Sequence, residues 1–473
     1  AIDGNLLRGL LRGVRGLGTR RKLRLDASDN HGFCTRSLSQ STLWRSRLWK
    51  RCPFALSISC RMLLLTRCAG CAADLSNVVP RSAAKQCGRC KTPYCGRACQ
   101  EQHWKEGGHD KICKKIKRGG GAEQYHADTK YKEAVAVAVE ECADDTKGQK
   151  CYICLEAVHP TTGEGLVRGC ACGDRDGVSS PELGVAHVSC LARQAKELVE
   201  EGEDSNMDEK MMDVRWRRWD TCTLCGKRYY GVVKCALGWA CWKTYLGRPE
   251  EDEPRCLAVA QLGNGLYEAG HFEDALSVRE AELSTLRRYQ TSEVNFLSAQ
   301  SNVAQTYIKL GKLNDACRLL RCVYSGHLKL QGEEHPKTLL AANNYATSLR
   351  DLGRVEDAKS VMRNMTPVAQ RVLGGGDEIT LRMRVNYAQM VCNDANSTLK
   401  DLNMALDTLE EIEPTVRRVF GISHPFTAIV EQTLQYSRAG LRACATLGKE
   451  TNCLTPADIE KLEKLVLKQE EES

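Results

Sequence analysis

No run of eighteen apolar residues occurs in this chain; the most hydrophobic stretch, Met62 to Leu65, is short and flanked by Arg61 and Arg67. A helix that crosses a bilayer needs about twenty such residues, so no membrane span is expected. A secretory signal pattern is also missing, which removes the usual setting for a disulfide scaffold. Basic charge is missing from most of the chain as well. Residues 1–61 hold thirteen Lys/Arg, among them Arg8, Arg12, Arg15, Arg20, Arg21, Lys22 and Arg24, against Asp3, Asp26 and Asp29, a balance of +10. The whole chain is +8, so the remainder sums to about −2. A nucleic-acid partner, which wants a basic face, is not expected. Nor is there a catalytic constellation: no nucleophile and base stand with a third, positioning group.

Glutamate is absent from residues 1–61, and their Arg- and Ser-rich composition fits an organelle transit peptide. The first methionine is Met62, so the same segment reads equally as sequence upstream of the mature start. On either reading it carries no fold. The compartment is expected to be cytoplasmic or nuclear, with organelle import open if residues 1–61 are genuine.

What the chain has in excess is cysteine, 26 residues. In a long, charge-rich chain of a reducing compartment such a number points to metal ligation, and spacing has to decide. Cys68 and Cys71, Cys87 and Cys90, Cys95 and Cys99, and His109 and Cys113 make four pairs with two or three residues between partners. Zinc takes four N or S donors in a tetrahedron, and one tight or helical turn supplies two of them. Four pairs therefore imply two closed sites, which hold a fold together and do not activate water.

The order Cys-x2-Cys, Cys-x2-Cys, Tyr-Cys-x3-Cys-Gln, His-Trp, His-x3-Cys resembles a MYND-type zinc finger. The resemblance implies an interleaved arrangement, with Cys68, Cys71, Cys95 and Cys99 on one zinc and Cys87, Cys90, His109 and Cys113 on the other. It also implies docking of short proline-containing peptides. The gap from Ala72 to Gln86 is long for the family. His103 is expected not to be a ligand, because helical spacing aims it away from His109. Tyr94 and Trp104 are expected to pack a module too small for an apolar core. The finger of some lysine methyltransferases is of this kind, but no cofactor-binding or Asn-His motif of their catalytic domain is present.

After Gly119-Gly120-Gly121 a connecting helix is expected over Glu123 to Glu141. Four more pairs follow: Cys151 and Cys154, Cys170 and Cys172, His187 and Cys190, and Cys222 and Cys225. This C4HC3 order, with one residue between the third and fourth donors, resembles the RING-variant (RING-CH) finger. Its cross-brace implies Cys151, Cys154, His187 and Cys190 on one zinc, and Cys170, Cys172, Cys222 and Cys225 on the other. The chain departs from that pattern by the polar insertion DRDGVSSPEL and the acidic stretch Glu200 to Glu209. By the same resemblance Ile153 stands where an aliphatic contact to an E2 enzyme is common, and Lys227 or Arg228 near the usual basic position. The remaining cysteines, such as Cys142, Cys235, Cys241, Cys317 and Cys392, read as isolated thiols.

From about residue 255 the chain repeats. Gly270, Gly311 and Gly353 recur at intervals of 41 and 42, in step with Asp-Ala at 274–275, 315–316 and 357–358. Asn302, Asn344 and Asn386 recur at 42, each followed two residues on by alanine. A fixed period of this length means stacked helical hairpins, with glycine ending the first helix and alanine permitting close approach. GEEHPKTL and GISHPFT read as connections between units, with a threonine available to cap the next helix. The pattern resembles kinesin-light-chain-type tetratricopeptide repeats, with a fourth unit stretched near Asn393 to Lys400. That resemblance implies that Asn302, Asn344 and Asn386 face a concave groove and bond an extended peptide; bonding between helices is the other reading. Trp216, Trp219, Trp239 and Trp242 are expected to pack at the junction of finger and repeats.

The expected fold is mostly α: two small cross-braced zinc modules followed by an α-α superhelical, tetratricopeptide-like array, with about four zinc ions. The expected segments are a leader (1–61), the MYND-type finger (68–113), a linker and helix (114–150), the C4HC3 finger (151–228), a Trp-rich junction (229–254), the repeats (255–445) and a charged C-terminal helix and tail (446–473). Two functions fit. One is a non-enzymatic adaptor whose partners are proteins or short peptides. The other is a RING-type E3 ubiquitin ligase whose second finger holds an E2 enzyme while the repeats select substrate.

Overall fold

The computed structural model describes residues 68–71, 85–172, 184–394, 396–422 and 424–448. The expectations for residues 1–61, for the insertion 174–183 and for a charged helix after Thr455 lie outside the described residues.

The first module is small. Strand β1 (Lys85–Gln86) pairs antiparallel with β2 (Pro93–Tyr94), and α1 (Arg97–Lys105) and α2 (His109–Arg118) follow. Its interior consists of Cys68, Cys87, Cys90, Tyr94, Cys113, Ile116 and Ala122, so candidate ligands supply most of what is buried. Tyr94 packs as expected, while Trp104 stays 41% exposed. Helix α3 (Ala122–Glu141) starts where the amide of Ala122 donates to the Cys90 carbonyl at 2.8 Å. The preceding Gly120 and Gly121 have φ of +87° and +100°, backbone that side chains resist.

The second module holds α4 (Val188–Asp204), α5 (Glu209–Trp216) and a 3-10 turn (Arg217–Trp219), closed by the bridges Val167 to Ala186 and Thr221 to Arg228. The acidic stretch is put to structural use. Glu203 takes two hydrogen bonds from Arg248, at 2.6 and 2.8 Å, and Glu201 pairs with Arg215 at 3.1 Å. Next come α6 (Gly231–Tyr245) and the repeats: α7 (Glu253–Glu268) with α8 (Phe272–Arg288), α9 (Glu293–Lys309) with α10 (Leu313–Gln331), α11 (Pro336–Asp351) with α12 (Val355–Leu373), α13 (Glu378–Cys392) with α14 (Leu399–Phe420), and then α15 (Pro425–Leu447). No described helix is long and apolar enough to cross a membrane.

A single hydrophobic core runs from Ala127 in α3 through the second module to Ala281 in α8. Trp219, Trp239, Trp242 and Tyr245 are buried in it, so the junction is interior and not a spacer. Helices α6 and α7 meet at glycine. A Cβ on Gly265 would lie 2.7 Å from the carbonyl oxygen of Lys234 and 2.9 Å from Cα of Cys235, both backbone atoms that cannot swing aside. Gly265→Val is therefore expected to cost about 1–3 kcal/mol, the usual range for overpacking, as a lowered urea midpoint.

In the repeats the predicted roles of glycine and alanine are realised. Gly270, Gly311 and Gly353 take φ of +80°, +75° and +79° just after α7, α9 and α11. Ala275, Ala304, Ala316, Ala346, Ala358 and Ala388 are buried. The threonine caps are a correction. Helices α11 and α15 are capped by His335 and His424, whose Nδ1 atoms accept from the amides of Lys337 (3.1 Å) and Phe426 (3.0 Å), with proline as the next residue in each case. Thr338 and Thr427 sit buried inside the first turn, and Thr427 donates instead to the carbonyl of Gly421 at 2.6 Å. The stretched fourth unit is anchored by Asp394, which takes a 2.6 Å ion pair from the buried Lys359.

One buried acid is expected to make the array pH-sensitive. Glu282 on α8 is buried, its Oε2 has no hydrogen-bond partner, and burial pushes its carboxyl up to about 7 despite Arg279 nearby. Arg279 spends its own hydrogen bonds elsewhere, on the Asn302 carbonyl at 2.8 Å and Asn264 Oδ1 at 3.0 Å. The folded chain thus holds a proton here that the unfolded chain releases near pH 4.5. Stability is lost as pH rises from about 4.5 through 7. Glu282→Gln is expected to raise the thermal midpoint at pH 8, by up to about 3 kcal/mol in stability, and to change it little at pH 5. Thermal scans at the two pH values check this.

Candidate metal centres and binding face

The structure gathers the sixteen candidate donors into four groups. In each group the donor atoms lie within 4.8 Å of one another: Cys68, Cys71, Cys95 and Cys99; Cys87, Cys90, His109 and Cys113; Cys151, Cys154, His187 and Cys190; Cys170, Cys172, Cys222 and Cys225. Zn–S bonds of about 2.3 Å put tetrahedral sulfurs about 3.8 Å apart. The sulfur pairs Cys71–Cys95 (3.6 Å), Cys95–Cys99 (3.4 Å), Cys87–Cys113 (3.7 Å) and Cys172–Cys222 (3.6 Å) are near that spacing. They are much longer than the roughly 2.05 Å of a disulfide.

The histidines enter by different nitrogens. Nε2 of His109 faces Cys90 Sγ at 3.4 Å, whereas Nδ1 of His187 faces Cys154 Sγ at 3.4 Å and Cys190 Sγ at 3.8 Å. Two groups thus offer four thiols each, and two offer three thiols and an imidazole. Each donor set is complete for a four-coordinate thiophilic ion, with no position left for water.

Local backbone prepares the charge. In the first knuckle of each module an amide points at the leading sulfur, Gly70 N to Cys68 Sγ and Ile153 N to Cys151 Sγ, both at 3.4 Å. Burial pushes the Cys68 thiol up, yet the amides of Cys95, Cys71 and Gly70 bring it down to about 6. Burial acts on Cys87 in the same sense, and there the amide of Cys90, the His109 ring and the amide of Arg89 bring the thiol down to about 6. Their partners move the other way: the sulfurs of Cys99, Cys68 and Cys71 push Cys95 up to about 12, and burial together with the Cys87 and Cys90 sulfurs pushes Cys113 up to about 12. A tight cluster of thiols resists losing its later protons until a cation neutralises it, which is the condition a metal site meets.

Supporting residues surround the donors. The Thr92 hydroxyl lies 3.0 Å from Cys90 Sγ. Around the second module's mixed site, the His159 ring stands edge-on to His187 at 5.3 Å. Glu164 accepts from the Tyr131 hydroxyl at 2.6 Å and from the Ser189 amide at 3.0 Å. No spacing signal marks these residues, because each is a single polar side chain brought in by the fold. His103 lies outside the donor groups, as expected, but not for the expected reason. It is beside His109, with ring centroids 5.2 Å apart, and is held by the Tyr94 hydroxyl at 3.0 Å. Two helices meet there, so single-helix spacing did not apply.

On the repeats, α9, α11, α13 and α15 share a polar layer. Asn344 Nδ2 donates to Ser301 Oγ at 3.3 Å, Asn386 Nδ2 to Asn343 Oδ1 at 2.8 Å, and Gln389 Nε2 to Thr433 Oγ1 at 2.9 Å. These bonds link α9, α11, α13 and α15 in order. Asn302, Asn344 and Asn386 remain half-exposed. In the second module Ile153 is half-buried on its knuckle, flanked by the exposed Leu155 (67%), and Leu224 (47%) is exposed on the last knuckle.

The tetratricopeptide repeat family matches residues 295–364, which fall on α9 to α12. No curated protein matches the chain. Among solved structures, a Podosopora anserina protein described as a kinesin light chain with nearly identical TPR-like repeats is 16% identical. It covers 49% of this chain and 97% of its own, with a TM-score of 0.29. BtubC (BKLC) of P. vanneervenii is 13% identical, covers 55% of this chain and 91% of its own, and has a TM-score of 0.30. By the family match, residues 295–364 carry tetratricopeptide repeats, within a helical array that follows two modules of clustered cysteine and histidine.

Proposed function

We propose that this protein is a zinc-loaded adaptor with no chemistry of its own, binding an extended protein segment along the first-helix layer of its repeats. The observation that carries this is the half-exposed Asn302, Asn344 and Asn386, in register on successive first helices, with side-chain bonds fixing the latter two. An extended peptide offers amide groups at regular intervals, and a ladder of asparagines can pair with them whatever the peptide's side chains. The MYND-like first module would add a second docking point for a short proline-containing segment. A peptide library displayed against the full zinc-loaded chain tests the reading. Peptides should be enriched by the wild type and lost with Asn302→Ala plus Asn386→Ala at an unchanged thermal midpoint. Enrichment that survives both substitutions would remove the ladder from the binding face.

A second reading, the RING-type ligase, draws support from the apolar Ile153, Leu155 and Leu224 carried on the first and last knuckles of the second module. Leu155 has φ of +63°, an uncommon conformation for a bulky residue. Autoubiquitination with a panel of E2 enzymes separates the two: the adaptor yields no chains, and chains that vanish with Ile153→Ala would establish the ligase.

A further inference from the structure

The segment that leads from the second module into the array touches the array's far end. Tyr230, at the start of α6, sets its ring edge-on to that of His424 at the start of α15, with centroids 5.0 Å apart and an interplanar angle of 71°. Helix α6 packs on α7 at the beginning of the repeats, and α15 is their last described helix, so this contact joins elements that the chain places far apart.

It is more than a single ring pair. His424 lies against Phe420 at 5.1 Å, Phe420 against Phe426 at 4.8 Å, and the Arg382 guanidinium covers both phenylalanines at 5.2 and 4.8 Å. Glu378 holds Arg382 by a 3.0 Å ion pair. On the other side of the contact, Lys234 and Arg228 flank Tyr230, and both pair with Asp220, at 3.0 and 3.3 Å. Charge crosses the contact. Burial pushes the Glu378 carboxyl up, but Arg382 and then Arg228 hold it below its ordinary value. His424 is kept neutral, pushed down to about 4 by burial and by Arg382, with Lys234 adding to the effect against Glu378.

A solenoid is ordinarily stabilised by contacts between neighbouring units only. A contact between the segment before its first unit and its last described helix adds nothing to that stacking, and it limits how far the stack can flex. We propose that Tyr230 and Arg228 of the second module form a latch with the α13 and α15 starts of the repeats, holding the first-helix layer closed, and that a protein segment enters this layer when the latch opens. The contact is small, an aromatic pair with one longer-range charge attraction, and is therefore of a strength that a modest ligand can overcome. The proposal rests on the adaptor reading only for what enters; the closure is testable without any ligand.

The test is hydrogen exchange by mass spectrometry on the full zinc-loaded chain, with X-ray scattering alongside. Tyr230→Ala is expected to speed exchange about fivefold both in peptides covering 226–236 and in those covering 376–384 and 420–430, the scale of one half-buried aromatic pair. The radius of gyration should rise, and exchange in α9 to α11 should stay as it was. If Tyr230→Ala unfolds the chain, Arg228→Glu decides, because that side chain is 67% exposed and its replacement sets a like charge towards Glu378. Unchanged exchange at the distant α13 and α15 starts in Arg228→Glu, with an unchanged radius, would overturn the latch.

Discussion

Replacing Cys222 by serine is expected to remove one zinc ion from the chain and to take the first repeats down with the second module. Native mass spectrometry should count close to four zinc ions in the wild type and one fewer in Cys222→Ser. The reason for the wider loss is where the donors sit. Cys170, Cys172, Cys222 and Cys225 belong to the same continuous core as Trp219, Val233, Leu237, Leu262 and Val278. A structural zinc ion contributes roughly 10–16 kcal/mol in small modules, while a whole domain has a net stability of about 5–15 kcal/mol. Loss of the ion is therefore as large as the stability of the surrounding core. Cys95→Ser makes the contrast. Its site lies in the separate small core of the first module, so it too should lose one ion, but the main thermal transition should keep its midpoint. Equal midpoints for both variants would mean that the second module is not coupled to the repeats.

The second large effect is expected at Trp219. It is fully buried, its ring lies 5.9 Å from that of Tyr245 and 6.4 Å from that of Trp216, and its carbonyl accepts from Gln261 Nε2 of α7 at 2.9 Å. Removing a fully buried Trp leaves a cavity that rigid neighbours cannot fill, at a cost of about 3–5 kcal/mol. Trp219→Ala should thus remove a large share of net stability, read as a lowered urea midpoint of a cooperative transition. Trp216, only partly buried against the same core, should cost clearly less when changed to alanine. A Trp219→Ala midpoint no lower than that of Trp216→Ala would show that the seam between module and repeats collapses without penalty.

These two residues also mark the limits of reading the chain alone. Trp219 is visible in the sequence as one of four tryptophans expected to pack at a junction, with nothing to set it apart from the partly buried Trp216. Its burial depends on α6 and α7 closing over it, which depends in turn on Gly265. The caps of α11 and α15 show the same limit in local form. Threonine is a good cap by type, but proline after His335 and His424 starts the helix one turn earlier, leaving the histidine at the cap and the threonine inside. Trp104 stays exposed because the candidate ligands and Tyr94 already fill the interior of the first module.

The sequence by itself determined that the cysteines and histidines come in pairs, that the C-terminal half is a helical array of fixed period, and where glycine and alanine serve it. Each follows from short-range geometry: one turn supplies two donors, and one helical repeat spaces its own residues. Which pairs share a site is a matter of tertiary structure, and the spacing alone left it open until a family resemblance supplied an expectation. Only the tertiary structure decided that the second module and the first repeats are one core, that His103 lies beside His109, and that Tyr230 meets His424. Those contacts join residues with no common turn or period, so burial and packing between distant elements had to bring them together.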